Sequence, residues 1–221
     1  MTRSLALLAL GACMSTAVAQ PNPAVQNFQK VSDEYFDKVY FPNQPTVGTL
    51  TGYHEYDVQL EDYSHKKIDA WVADLVYFER RIESIPPAGL DETTRGDREM
   101  VLANIRSTLL TLDTIRTWER NPDAYSGGVS NAAFSLMERK FAPPNERLRS
   151  LIAREKLMPS RLDEARVNLK NPPRVSTDIS IEQLPGIISF FEKDVPSAFT
   201  DAKDPALKAE LPRPTPPSLP H

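Results

Sequence analysis

Apolar residues recur at every third or fourth position along most of this chain, and proline cuts that recurrence into lengths. A 3.6-residue period places side chains on one face of a helix, and a proline inside a helix removes a backbone donor and clashes with the preceding turn. No stretch alternates apolar and polar residues as a half-buried strand would. The predicted fold class is therefore all-α: an array of mostly antiparallel amphipathic helices with proline-punctuated turns.

The segments follow from this rule. Phe28, Val31, Tyr35, Phe36, Val39 and Tyr40 predict a helix that stops at Pro42 and Pro45, and residues 43–63, with Gly48 and Gly52, read as irregular. Ser64 is a suitable N-cap for a helix whose face is Ile68, Trp71, Val72, Leu75, Phe78, Ile82 and Ile85, ended by Pro86-Pro87. Asp91 opens another, with Leu102, Ile105, Leu109, Leu112 and Ile115 inward and Trp118 close by, ended at Asn121-Pro122. Gly127-Gly128 reads as a turn before a short helix over 132–139. Pro143-Pro144 starts a helix on Leu148, Leu151 and Ile152. Pro159 opens one on Leu162, Ala165 and Leu169, which Pro172-Pro173 stops. Ile181, Leu184, Ile187, Ile188, Phe191 and Val195 predict a last inward stripe, kinked or segmented by Pro185 and Pro196.

The two ends differ from this body. Arg3, the apolar run Leu5–Leu10 and the A-x-A site before Gln20 form a secretory signal, with cleavage expected between Ala19 and Gln20. A rival reading takes Leu10-Gly11-Ala12-Cys13 as a lipobox with Cys13 acylated. Either way the chain is expected to be periplasmic or secreted. The apolar run is too short to span a bilayer, which takes about 20 residues. The expected organisation is a signal peptide over 1–19, a flexible start over 20–27, a single helical domain over 28–210, and a proline-rich disordered tail over 211–221. Cleavage after Ala19 would take the only cysteine with it, leaving no thiol for a disulfide or a metal. It would also remove Arg3 from the 26 basic residues, leaving 25 against 30 acidic. That balance gives no electrostatic case for nucleic acid or an anionic membrane.

Side chains with chemistry are few. Histidine occurs at 54, 65 and 221 only. His54-Glu55 begins the zinc pattern H-E-x-x-H, but Val58 stands where the second histidine would be. No G-x-S-x-G elbow and no phosphate loop is present. His54, Glu55 and Asp57 are the candidate ligand-binding residues. They read either as a polar turn that caps its own backbone or as the lining of a cleft that contacts a ligand or supplies a general base. No catalytic residue and no metal ligand is assigned within the chain. Trp71, Trp118, Tyr77 and Phe78 fall at helical spacings that suit a core, and Arg147 and Arg154 are candidates for buried ion pairs.

Tyr35-Phe36, then Gly48-Thr49-Leu50-Thr51-Gly52-Tyr53-His54-Glu55-Tyr56-Asp57, Leu60, Asp62 and Ser64 form an ordered set. Asn121-Pro122 with Tyr125, Ala153-Arg154, Met158-Pro159, the 165–169 stretch and Asn171-Pro172-Pro173 continue it. In order and spacing this resembles the amino-terminal half of the bacterial family called domain of unknown function 885, from about Phe28 to about Leu211. The resemblance implies a mostly helical, exported, metallopeptidase-like protein longer than this chain, with zinc held by an H-E-x-x-x-G-H-like motif in its carboxy-terminal half. No position here matches that motif. The chain thus reads as a truncated or frameshifted member, with no cofactor of its own and inactive alone. The alternative is a non-catalytic periplasmic peptide-binding or scaffold module. A peptide or the missing carboxy-terminal half is the partner each reading leaves open. A third reading, a decayed fragment, would expose apolar helix faces.

Overall fold

The computed structural model describes residues 22–211. The signal segment with Cys13, Ala19 and Gln20, and the tail from residue 212 on, lie outside the described residues. Within them every regular element is helical, as the period predicts.

The first helix, α1 (Pro23–Tyr35), starts five residues earlier than the apolar pattern suggests. Pro23 occupies its first turn, where no backbone donor is needed, and the Asn22 side chain caps Ala24 N. A π-helical turn, Phe36–Tyr40, carries the chain into the short α2 (Phe41–Asn43). Pro42 therefore does not end the helix: it sits at a helical first turn. Pro45 likewise opens α3 (Pro45–Thr51), so the stretch read as irregular contains a helix and a 3-10 turn, His54–Tyr56.

Next come α4 (His65–Glu83), with Ser64 at its N-cap, and α5 (Glu92–Leu109), where the Asp91 carboxylate accepts from Thr94 N. The first follows the predicted boundaries and the second its predicted start, but α5 ends at Leu109, well before Asn121-Pro122, and Ile115, read as inward, is 46% exposed. Arg106 pairs with Glu79 and Glu83, while Arg98 donates to Ile85 O. The partner numbers fall as the helix numbers rise, so α4 and α5 are antiparallel. Tyr35 against Phe78 and Asn22 against Gly89 give α1 and α4 the same relation. These three helices bury Phe28, Val31, Tyr35, Leu75, Phe78, Ile82, Leu102 and Ile105, and Trp118 completes the cluster. Tyr77, placed in the core by spacing, is 56% exposed.

A second π segment, Leu110–Ile115, ends at Arg116, whose φ of 56° turns the chain into α6 (Thr117–Arg120). The long α7 (Asp123–Glu138) runs straight through Gly127-Gly128, so no turn stands there. The reason is local at Gly127: an added Cβ would lie 2.6 Å from Asp123 Oδ1, so the missing side chain makes room for the first turn's own carboxylate. It packs antiparallel to α8 (Pro144–Glu155), and α9 (Met158–Asn168) follows after a two-residue break, Lys156 and Leu157. The inward face of α9 is Met158, Arg161 and Asn168, not Leu162, which is exposed. Polar anchoring has overridden the apolar register.

The last part is α10 (Arg174–Ser189), a π turn Phe190–Asp194, α11 (Val195–Ala198) and α12 (Pro205–Glu210). The helix continues through Pro185, and Pro196 sits in the first turn of α11. The predicted inward stripe is not inward: Ile181, Leu184 and Ile188 are exposed, and Val195 alone of that set is fully buried. A second apolar cluster gathers Val129, Leu136, Leu148, Leu151, Ile152, Val195, Phe199 and Leu207. The body thus has two apolar clusters, one amino-terminal and one carboxy-terminal. The segment 44–64 crosses from one to the other, with Tyr63 against the first and Leu60 against the second.

Candidate functional site

The polar residues singled out in the sequence lie on this crossing segment. Gly52 has φ 99°, a left-handed conformation that closes α3 and throws the chain into the His54–Tyr56 turn. Gly48 lies under Tyr56: a Cβ there would stand 2.8 Å from the Tyr56 ring. The two glycines let the turn fold back onto α3.

That fold-back brings His54 and Asp57 together. His54 Nδ1 lies 3.2 and 3.3 Å from the two Asp57 carboxylate oxygens. The imidazole stacks on Phe141, with ring centroids 3.9 Å apart and 13° between planes. Asp57 is buried, whereas the His54 side chain is 40% exposed. Glu55 does not join them: it is exposed and its carboxylate makes no ion pair among the described residues. So two of the three candidates form one oriented pair. A carboxylate that holds one ring nitrogen fixes imidazole orientation and directs the other nitrogen outward.

The pair does not fit a zinc site. Its Nδ1 is turned into Asp57, leaving a single imidazole nitrogen to offer a metal. Among the described residues no group of three or more His, Cys, Asp and Glu side chains is gathered to hold one.

A residue read from the sequence only as a candidate for a buried ion pair organises the segment. Arg154, fully buried on α8, uses every donor of its guanidinium. Nε donates to Gln59 O, Nη1 to Ala132 O and Ser135 Oγ, and Nη2 to Thr49 Oγ1 and Tyr56 O, at 2.8–3.0 Å. Three of those acceptors belong to the crossing segment and two to α7. The expected ion pair is not formed, since all five acceptors are neutral. Burial pushes the Arg154 pKa down, while the nearby Glu61 and Asp57 charges act the other way. Arg147 is similar, donating to Leu136, Met137 and Ala142 carbonyls. The sequence carried a signal for Arg154: it falls three residues after Leu151, on the inward stripe of α8, where a cation must find acceptors.

A second anchor holds Tyr63. Its N–H donates to Glu164 Oε2 at 2.8 Å, and its carbonyl accepts from Asn168 Nδ2 at 2.7 Å. The Arg161 guanidinium lies 3.3 Å from the Tyr63 ring centroid and 4.5 Å from that of Tyr125, and pairs with Glu164. Tyr125 Oη donates to Trp118 O. Burial raises the pKa of both tyrosines, so both hydroxyls stay protonated donors at neutral pH.

Between the anchors lies a cleft of about 490 Å3, walled by Val47, Leu50, Leu60 and Phe134 and bearing Glu61 and Glu138. Glu61 is held by Thr46, whose N–H and Oγ1 each donate to its carboxylate at 3.0 Å. Spacing gave no hint of this cleft, because its walls come from α3, α7 and the crossing segment.

A family model described as "Bacterial protein of unknown function (DUF885)" matches residues 45–215. It begins at the first residue of α3 rather than near Phe28, and includes both anchors. No curated protein matches. A solved structure described as that of "a putative lipoprotein of unknown function from Shewanella oneidensis" is similar, with TM-score 0.71 and 23% identity over 83% of this chain and 33% of that one. The likeness is one of fold, and the chain spans about a third of the length of that solved relative. Among the described residues no helix is long and apolar enough to cross a membrane.

Proposed function

The chain belongs to the DUF885 family of bacterial proteins, and from that premise we propose that it is an exported, non-catalytic helical body: the amino-terminal portion of a metallopeptidase-like architecture. The observation that carries this reading is the use made of the family segment. Its Arg154, Glu164 and Asn168 side chains are consumed in holding one segment between two apolar clusters, Arg154 on one side and Glu164 and Asn168 on the other. Spent in this way, they stabilise a shape, and His54 has the Asp57 carboxylate beside it but, among the described residues, no hydroxyl or thiol hydrogen-bonded to its ring. Coverage of a third of the solved relative supports the same reading, since a longer chain has room for a separate reaction centre.

The test uses the purified chain. Equilibrium dialysis against zinc and a peptidase assay on an unstructured casein substrate should both give background values. Near-stoichiometric zinc, or chelator-sensitive hydrolysis, would refute the reading. Fractionation of cells expressing the chain should place it in the periplasm or medium, and retention in the cytoplasm would sink the exported part.

A further inference from the structure

Trp71 is 5% exposed, yet its indole N–H has no hydrogen-bond partner among the described residues. Buried polar groups are normally satisfied, and an orphan donor needs an explanation. Trp71 lines two neighbouring clefts, one of about 490 Å3 and one of about 200 Å3. Gln44 and Tyr63 line both as well, so these three side chains form the partition between them. Tyr63 is pinned by Glu164, Asn168 and Arg161, and Trp71 is set in the first apolar cluster. Gln44 makes no side-chain hydrogen bond among the described residues, and it stands between α2 and α3. It is the member of the partition that no side-chain hydrogen bond fixes.

The walls limit what could enter. Glu61 and Glu138 supply negative charge, while Arg161 is already paired with Glu164. An anion would therefore meet no free cation in the larger cleft. Gln44 and Asn131 offer amides, which both donate and accept, and Phe134, 45% exposed, offers an apolar face. The volume falls in the range of small-ligand sites, about 300–1,000 Å3, and far exceeds the roughly 30 Å3 share of one water.

We infer that the joined cleft binds a short peptide bearing a cationic side chain, with a backbone carbonyl on the Trp71 indole N–H, an apolar residue on Phe134 and the cation beside Glu138. The inference rests on the reading of the chain as a non-catalytic body and gives that body a ligand.

The chain has two tryptophans, so its nitrogen–proton correlation spectrum has two indole signals. Trp118 lines the smaller cleft, but its Nε1 already donates to Leu112 O at 2.8 Å and is not free to take a ligand carbonyl. Titration of the full chain with the tripeptide Leu-Lys-Leu should move the Trp71 signal much further than that of Trp118. Leu-Glu-Leu should bind more weakly. Glu138→Gln, at an exposed position, should weaken Leu-Lys-Leu by about threefold and, by removing a like charge, leave Leu-Glu-Leu no weaker. A Trp71 signal unmoved at millimolar peptide would overturn the inference, as would equal binding of the two peptides or no effect of Glu138→Gln. Hydrolysis of the peptide during titration would instead refute the non-catalytic reading while leaving the cleft standing.

Discussion

Arg154 Nη2 donates to Thr49 Oγ1 at 2.8 Å across 105 residues of sequence, and both groups are buried. The bond is one of five from a single guanidinium, so its two partners are unequal. Arg154→Met removes all five bonds, leaving Ala132 O with Ser135 Oγ and Tyr56 O with Gln59 N–H as donors, and should lower stability by about 3–5 kcal/mol. Thr49→Val removes one acceptor and should cost about 1 kcal/mol. Urea denaturation of both variants and of the double variant measures the coupling. An Arg154→Met midpoint equal to that of the parent would contradict the account.

Glu155 gives a pH dependence with a defined sign. It is buried, its Oε2 has no partner, and burial pushes its pKa up to about 7 from an ordinary 4.5. The folded chain therefore holds a proton that the unfolded chain releases. This contribution is fully present below pH 4.5 and is lost as pH rises to about 7. The cost of ionising it in place is on the order of 3 kcal/mol. Thermal scans at pH 5 and pH 8 should show Glu155→Gln raising the midpoint at pH 8 far more than at pH 5. Equal changes at both would remove the assignment.

His54 and Phe141 should behave as one unit. Either alanine substitution loses the same stack, so their effects, about 1 kcal/mol each, should add to clearly less than the sum of the two. Strict additivity in guanidinium unfolding would show that the stack contributes nothing.

Two glycine substitutions should have opposite signs. Gly48→Ala drives a methyl against the Tyr56 ring, which Arg154 holds in place through the Tyr56 carbonyl, and should destabilise by about 1–3 kcal/mol. Gly96→Ala, inside α5 with nothing within 4 Å, should stabilise by about 0.5–1 kcal/mol from helix propensity. Calorimetric midpoints moving the same way would count against the packing at Gly48.

Sequence pattern sufficed where burial is simple. The Asp91 cap, the α4 stripe from Ile68 to Ile82 and the α8 triplet of Leu148, Leu151 and Ile152 lie where spacing places them. It misled where a polar group competes for the interior. Arg161 and Asn168 are buried because Tyr63 and Tyr125 receive them, and so Leu162 is turned outward. Proline misled in the opposite way: Pro23, Pro42 and Pro45 sit in first turns, where the missing N–H costs nothing. The His54–Asp57 pair was legible as a string, whereas the Trp71 cleft was not, because its walls lie up to 117 residues apart, from Gln44 to Arg161.

The division into two apolar clusters bears on the order in which the chain can assemble. Each cluster draws on a nearly continuous stretch, Phe28 to Trp118 for one and Val129 to Leu207 for the other. Short loops close at less entropic cost than long ones. A chain emerging amino end first thus completes its first cluster while Arg154 is still to come, and the crossing segment waits for its guanidinium. The carboxy-terminal cluster then forms beside a template already in place. Pulse-labelled hydrogen exchange during refolding should protect the α4 and α5 amides before those of residues 53–59. Simultaneous protection would mean that the two halves condense in one step.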